Sequence, residues 1–143
     1  MLSKEELWSF FQNDRFAVDI VGITVDEVTE ERTVCRLKID GRHRNADGVV
    51  MGGVSFTLGD FAFALFANRM GISVVTLSAT VNYLGTAKGD ELVATVTPIK
   101  EGRSVVSAEV TITDEFENPV AHMVASGFRK TKNENNVKEK DKA

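Results

Sequence analysis

The 143-residue sequence contains one cysteine, two histidines and two prolines, and each scarcity closes off a class of protein. One cysteine cannot form an internal disulfide, and with two histidines it falls short of the usual zinc ligand sets. A reducing cytosol is the expected compartment. Basic side chains are also in deficit. Seventeen Lys and Arg face twenty-one Asp and Glu, for a net charge of -4 and a pI near 5.2, the wrong sign for broad contact with nucleic-acid phosphates. No apolar run reaches the roughly 18 residues of a membrane span. Met1-Leu2-Ser3-Lys4-Glu5-Glu6 puts acids where a signal peptide would be uninterruptedly apolar. The expectation is a soluble cytoplasmic protein with neither nucleic acid nor membrane as partner.

What the chain does have is enough apolar residue, 43%, to build one core at the length of one domain. Ser3-Lys4-Glu5-Glu6 has the form of a capping box, and Leu7, Trp8, Phe10 and Phe11 supply the stripe of a short helix that packs as a lid. Loose alternation over 16–29 and 33–39 predicts a first hairpin. Gly41 to Gly53 is glycine-rich and polar, a loop of functional length. The stretch Gly53 to Met70 is apolar on nearly every face and predicts a buried helix, with Gly71 suited to the left-handed turn after it. Strand-like segments follow at 73–84, 91–100, 104–113 and 120–129, separated by turn residues such as Lys88-Gly89-Asp90. The organisation expected is an N-terminal helix over 1–14, one domain over 15–130, and a disordered charged tail over 131–143. Two strands, a buried helix and four more strands describe an α+β fold in which an antiparallel sheet wraps a central helix. That helix carries more apolar surface than one side of one sheet covers, which predicts a dimer.

Asp60 is the residue in this pattern that requires a reason. It lies in Leu58-Gly59-Asp60-Phe61-Ala62-Phe63, and an ionised carboxylate amid that much apolar surface is paired, protonated or functional. The plain alternative is an exposed position or a carboxylate bonded to nearby backbone. Eight residues earlier, Met51-Gly52-Gly53 opens the same helix. Unpaired N–H groups at a helix start favour developing negative charge, and glycines let a ligand approach the backbone.

The run His43-Arg44-Asn45-Ala46-Asp47-Gly48-Val49-Val50-Met51-Gly52-Gly53, continued by Leu58-Gly59-Asp60-Phe61-Ala62, resembles the hotdog-fold thioesterases of the phenylacetyl-CoA thioesterase (PaaI-like) group. Their signature is Asn, two residues, Gly, two residues, His-Gly-Gly, then a helix with Leu-x-Asp-x-Ala. The resemblance covers about 15–130. It implies a six-stranded antiparallel sheet in the order 1-2-4-5-6-3 around a long helix, dimers with sites at the subunit interface, dimers of dimers in some cases, and hydrolysis of an acyl-CoA thioester without a metal or redox cofactor. Carried over by position, it implies that Asp60 activates water or attacks the thioester carbonyl and that the Gly52 N–H polarises that carbonyl. It further implies that Asn45 positions substrate or water and that Ser78 is a hydroxyl assisting the water. Asn45 also reads as an Asx-turn residue and Ser78 as an ordinary strand residue. Met51 stands where the family usually has His; it donates no hydrogen bond and, with Gly53, is expected to line the substrate pocket. Arg103, Lys88 and Lys100 lie at predicted turns where they can meet coenzyme A phosphates, although charged turn residues are usually just solvated. A catalytically weak acyl-CoA binding protein of the same fold is the competing expectation.

Overall fold

A computed structural model describes residues 1–130, so the tail expected over 131–143 lies outside the described residues. Six strands, β1 (Thr24–Val28), β2 (Thr33–Lys38), β3 (Val74–Tyr83), β4 (Glu91–Glu101), β5 (Val105–Asp114) and β6 (Pro119–Arg129), form one antiparallel sheet in the order β1-β2-β4-β5-β6-β3. The sheet curls around helix α2 (Gly52–Asn68). Period-two alternation decides what points inward: Cys35 and Leu37, Leu92, Ala94 and Val96, and Val106, Ala108, Val110 and Ile112 are all buried against the helix side. Gly59 lets the helix settle close, because a Cβ there would lie 2.9 Å from Met123 Cε and 3.1 Å from Ile112 Cδ1. Gly71 takes the expected left-handed conformation at φ 81°.

The second side of α2 is covered within the chain. Helix α1 (Lys4–Phe11), capped by Ser3 Oγ accepting from the Glu6 N–H at 3.1 Å, buries Leu7 and sets Phe11 edge-on to Phe61 with centroids 6.0 Å apart. What remains partly open on α2 is Gly52, Gly53, Thr57, Asp60, Ala64 and Asn68, with Val54 and Phe56 half-buried beside them. The apolar surface that α2 leaves open is therefore smaller than its sequence suggests. A further uncovered apolar surface lies on β3, an edge strand, where Val75, Leu77, Tyr83 and, just beyond it, Leu84 are exposed.

The first hairpin also needs correction. Residues 16–29 do not form one strand: Phe16–Val21 makes a π-helical segment ending at Gly22 in the left-handed region (φ 88°), and only Thr24–Val28 is strand. The alternation of Phe16, Val18 and Ile20 imitated a strand, but Ala17 and Val21 are the residues buried, a helical spacing.

The end of α2 is tied down by charge. Arg69 is 2% exposed, lies over the Phe66 ring, and donates two 2.8 Å bonds to the Glu101 carboxylate and one of 2.7 Å to the Glu30 carbonyl. Those Arg69 hydrogen bonds hold the Glu101 carboxyl below its ordinary range. Glu101→Gln is expected to cost about 3 kcal/mol at neutral pH, since it strands a buried guanidinium. A depressed carboxyl stabilises above its unfolded pKa and loses that contribution as pH falls through the folded one. The gap between variant and parent, read by urea denaturation, should therefore close in acid.

Candidate active site

The loop from Gly41 to Met51 is held by its own polar groups. It opens with a short 3-10 turn over Gly41–His43, capped by the Asp40 side chain accepting from the Arg42 N–H at 2.9 Å. The buried His43 accepts the Asp40 N–H at Nδ1 (2.9 Å), which leaves the proton on Nε2 to donate to the Val21 carbonyl at 2.7 Å. Its own carbonyl accepts the Met51 N–H at 2.8 Å. With both ring nitrogens engaged, His43 is a staple between the π-helical segment and the loop, unavailable for proton transfer to a substrate. Asn45 plays the Asx part: Oδ1 accepts from the Asp47 and Val49 N–H groups at 3.0 and 3.2 Å. This fixes the amide plane and leaves the Nδ2 donors free to meet a ligand.

Met51 is the N-cap of α2, supplies no side-chain cap, and is 56% exposed. The N–H groups of Gly52 and Gly53 therefore find no acceptor among the described residues. Nine of the seventeen α2 residues are buried, yet Asp60 lies on the half-open stripe two turns on. Burial first, and the Asp14 carboxylate second, push its carboxyl above the ordinary aspartate range, with no hydrogen bond to the anion opposing them. The combination is a carboxylate made more basic than usual and a set of unused backbone donors on one helix.

Strand register separates the remaining candidates. Ser78 pairs with Ser126, which pairs with Ser107 on the outer face of the sheet, the two serine hydroxyls being 2.9 Å apart. Ser78 thus faces away from its own chain's α2. A bulge between Thr76 and Ser78 changes the phase, and Thr76 pairs with Gly127, whose Cβ direction points toward Phe63 of α2. Thr76 is the β3 hydroxyl on the helix side. Lys88, in the β3–β4 connection, lies at the Gly52 end of α2, with its N–H bonded to Asp114. Lys100 sits within β4 rather than at a turn, and Arg103 follows it beside the Arg69–Glu101 pair. They are at the far end of α2, roughly 25 Å away by helix rise. One chain does not bring the three together. Tyr83, at the end of β3, packs against Gly52, and sequence reasoning passed over it. Nothing in the spacing of the two residues signals that contact.

Comparison with known proteins identifies the family and the fold. Residues 47–121 match the thioesterase superfamily, a match that takes in the Gly52 helix start, Asp60 and all of β3 to β5. The chain belongs to that family. Acyl-coenzyme A thioesterase 13 of Mus musculus is 29% identical over 96 residues, covering 65% of this chain and 69% of the relative. Acyl-coenzyme A thioesterase PaaI of Escherichia coli is 26% identical over 114 residues, covering 79% and 81%. The structure of the E. coli PaaI protein from the phenylacetic acid degradation operon superposes with a TM-score of 0.82 at 20% identity, over 90% of this chain and 94% of that one. The six-stranded sheet around a helix is the hotdog fold of those PaaI structures.

Proposed function

We propose that this chain hydrolyses an acyl-coenzyme A thioester to a carboxylic acid and free coenzyme A, with Asp60 as base and the Gly52 amide as carbonyl-binding donor. The observation that carries the reading is Asp60 itself: a half-buried carboxylate with no hydrogen-bond partner, on a helix whose first N–H groups are unpaired. The carbonyl oxygen accepts from the Gly52 N–H, with the free Asn45 amide beside it in the same loop. Asp60 takes a proton from water as the water oxygen bonds to the carbonyl carbon. Collapse of the tetrahedral intermediate breaks the C–S bond, and the departing thiolate takes the proton back from Asp60. Preorganised donors meet the oxyanion as its charge forms, at no cost of reorganisation. Thr76 replaces Ser78 as the hydroxyl that orients the water, and Met51 with Gly53 walls the pocket. Phosphate contacts fall to Lys88 at the Gly52 end, and to Lys100 and Arg103 only where another copy brings them near.

Distance along the helix argues for a site shared between two copies. Eight residues at a rise near 1.5 Å put Gly52 and Asp60 about 12 Å apart. A donor on a carbonyl oxygen and a base acting through the attacking water stand roughly 9 Å apart at most. One chain's Gly52 and Asp60 are thus spaced beyond the comfortable reach of one thioester, which favours Gly52 of one copy working with Asp60 of a second. The open stripe of α2 and the exposed apolar edge of β3 are the surfaces for a homodimer, and dimers of dimers remain compatible with the uncovered outer sheet face. No described helix is long and apolar enough to cross a membrane. A reducing cytoplasm suits a chain whose one thiol, Cys35, is buried and held protonated by that burial and by Asp26. The weak-binding alternative, which rested on Met51, is not favoured, since the basic carboxylate and the amide are both in place.

Gly52→Pro tests the helix-start donor. Met51 already has the extended conformation that precedes proline (φ -61°, ψ 135°), and proline is well tolerated at the first helical position. The substitution removes one N–H and keeps the helix start, while its Cβ, 2.9 Å from Tyr83 Cε1 and Cζ, also shifts that ring, so the measured loss covers both. Free-thiol release from a panel of aryl and aliphatic acyl-CoAs is expected to fall roughly 100- to 1,000-fold, the loss typical of one oxyanion donor. Release at the parent rate would refute the assignment.

A further inference from the structure

A second donor stands beside the Gly52 amide. The Tyr83 ring lies so close to Gly52 that a Cβ there would be 2.9 Å from both Cε1 and Cζ and 3.3 Å from Oη. Tyr83 pairs with Ala121 on the helix side of the sheet, and its hydroxyl is left without a partner among the described residues, the side chain being 55% exposed. It is the one tyrosine in the chain. A Cβ position is roughly 2.5 Å from its own amide nitrogen by ordinary covalent geometry, so Oη lies within roughly 6 Å of the Gly52 nitrogen. Two donors that each bond one carbonyl oxygen at about 2.9 Å along its lone-pair directions stand about 5 Å apart, inside that bound. The neighbouring Met51 side chain offers no donor at all.

We infer that the Tyr83 hydroxyl supplies the second hydrogen bond to the thioester carbonyl oxygen, sharing that oxygen with the Gly52 amide. The inference rests on the assignment of Gly52 above. It gives the edge strand a chemical part in the site: the end of β3 places a neutral O–H where the charge on oxygen develops. It also explains why Gly52 has no side chain, since any Cβ would push the phenol off the helix start. A phenol donates without carrying charge, so it strengthens its bond as the oxyanion forms while holding the ground-state carbonyl only weakly.

Tyr83→Phe keeps the ring against Gly52 and removes only the hydroxyl. With the acyl-CoA that the parent protein turns over best, kcat is expected to fall roughly 100-fold. KM should stay within about twofold and the melting temperature should not move, since the bond gains strength only in the transition state and the hydroxyl is unpaired in the fold. Met51→His added to Tyr83→Phe places a donor on the adjoining residue and should recover part of kcat. A ring that merely walls the pocket would leave kcat of Tyr83→Phe at the parent value, and that result overturns the inference. Asp60→Asn is assayed in parallel to keep the two readings apart. A parent protein that releases no thiol from any acyl-CoA sinks both. An active parent, an impaired Asp60→Asn and an unimpaired Tyr83→Phe sink this inference alone.

Discussion

Asp60→Asn is expected to lower turnover roughly 100- to 10,000-fold, the range for loss of a general base, while making the folded protein more stable at neutral pH. The two effects have one origin. Burial and the Asp14 carboxylate raise the Asp60 pKa in the folded state, so folding binds a proton more readily at this site than the unfolded chain does. A raised carboxyl therefore costs stability once pH climbs above the unfolded value, near 3.9, and the full cost is reached above the folded value. Asparagine keeps the shape and carries no charge, so its melting temperature should exceed the parent's at pH 7. The difference should vanish below about pH 4, where both side chains are neutral. The acid limb of kcat/KM should lie above the ordinary aspartate range, and Asp14→Asn should move that limb to lower pH. A folded Asp60→Asn variant with parental turnover, or an acid limb unmoved by Asp14→Asn, would contradict the account.

The second large effect is expected at the edge of the sheet. Leu77 is 62% exposed on the bulge of β3, a ten-residue edge strand whose outer backbone groups are unpaired. Lysine at such a position discourages strand addition. Leu77→Lys should sediment as a monomer at micromolar concentration, and its turnover should fall to background, because one copy's Gly52 and Asp60 are too far apart to act together. Subunit mixing gives the sharper outcome. Asp60→Asn and Gly52→Pro are each expected to be inactive, but co-expressed and paired at random they form heterodimers in half the population. One of the two sites in each heterodimer then has both groups intact, so about a quarter of parental activity should return. No recovery on mixing, or a fully active Leu77→Lys monomer, would show that each chain carries its own complete site.

Much of this architecture was legible before any coordinates. The α2 helix announced itself by apolar residues on nearly every face, and the later strands by alternation between turn residues. Each observed boundary falls within a residue or two of the expected one. Asp60 and Gly52-Gly53 stood out because a carboxylate in apolar sequence and a glycine pair at a helix start have definite physical costs and uses. Those signals are local, and local free energy decides them. The segment Phe16–Val21 was misread for the opposite reason. Its helical turn is fixed by His43 bonding the Val21 carbonyl from 22 residues away and by a left-handed Gly22.

What the tertiary structure alone decided is which face each residue presents and what it meets there. The sequence by itself determined the buried helix and most of the strand succession and singled out Asp60, because hydrophobic periodicity and the cost of burying charge act along the chain. It could not assign Ser78 to the outer face or Thr76 to the helix side, since one bulged residue shifts the phase of a strand and leaves its composition unchanged. Nor could it place Tyr83 on Gly52, a contact made only when β3 returns along the full length of α2. It pointed to the helix as the surface seeking a partner, but not to α1 and the π-helical segment covering part of it, nor to the bare β3 edge beside its open stripe. Packing is settled by the shapes of surfaces that meet from distant parts of the chain, and those shapes exist only once the sheet has closed around its helix.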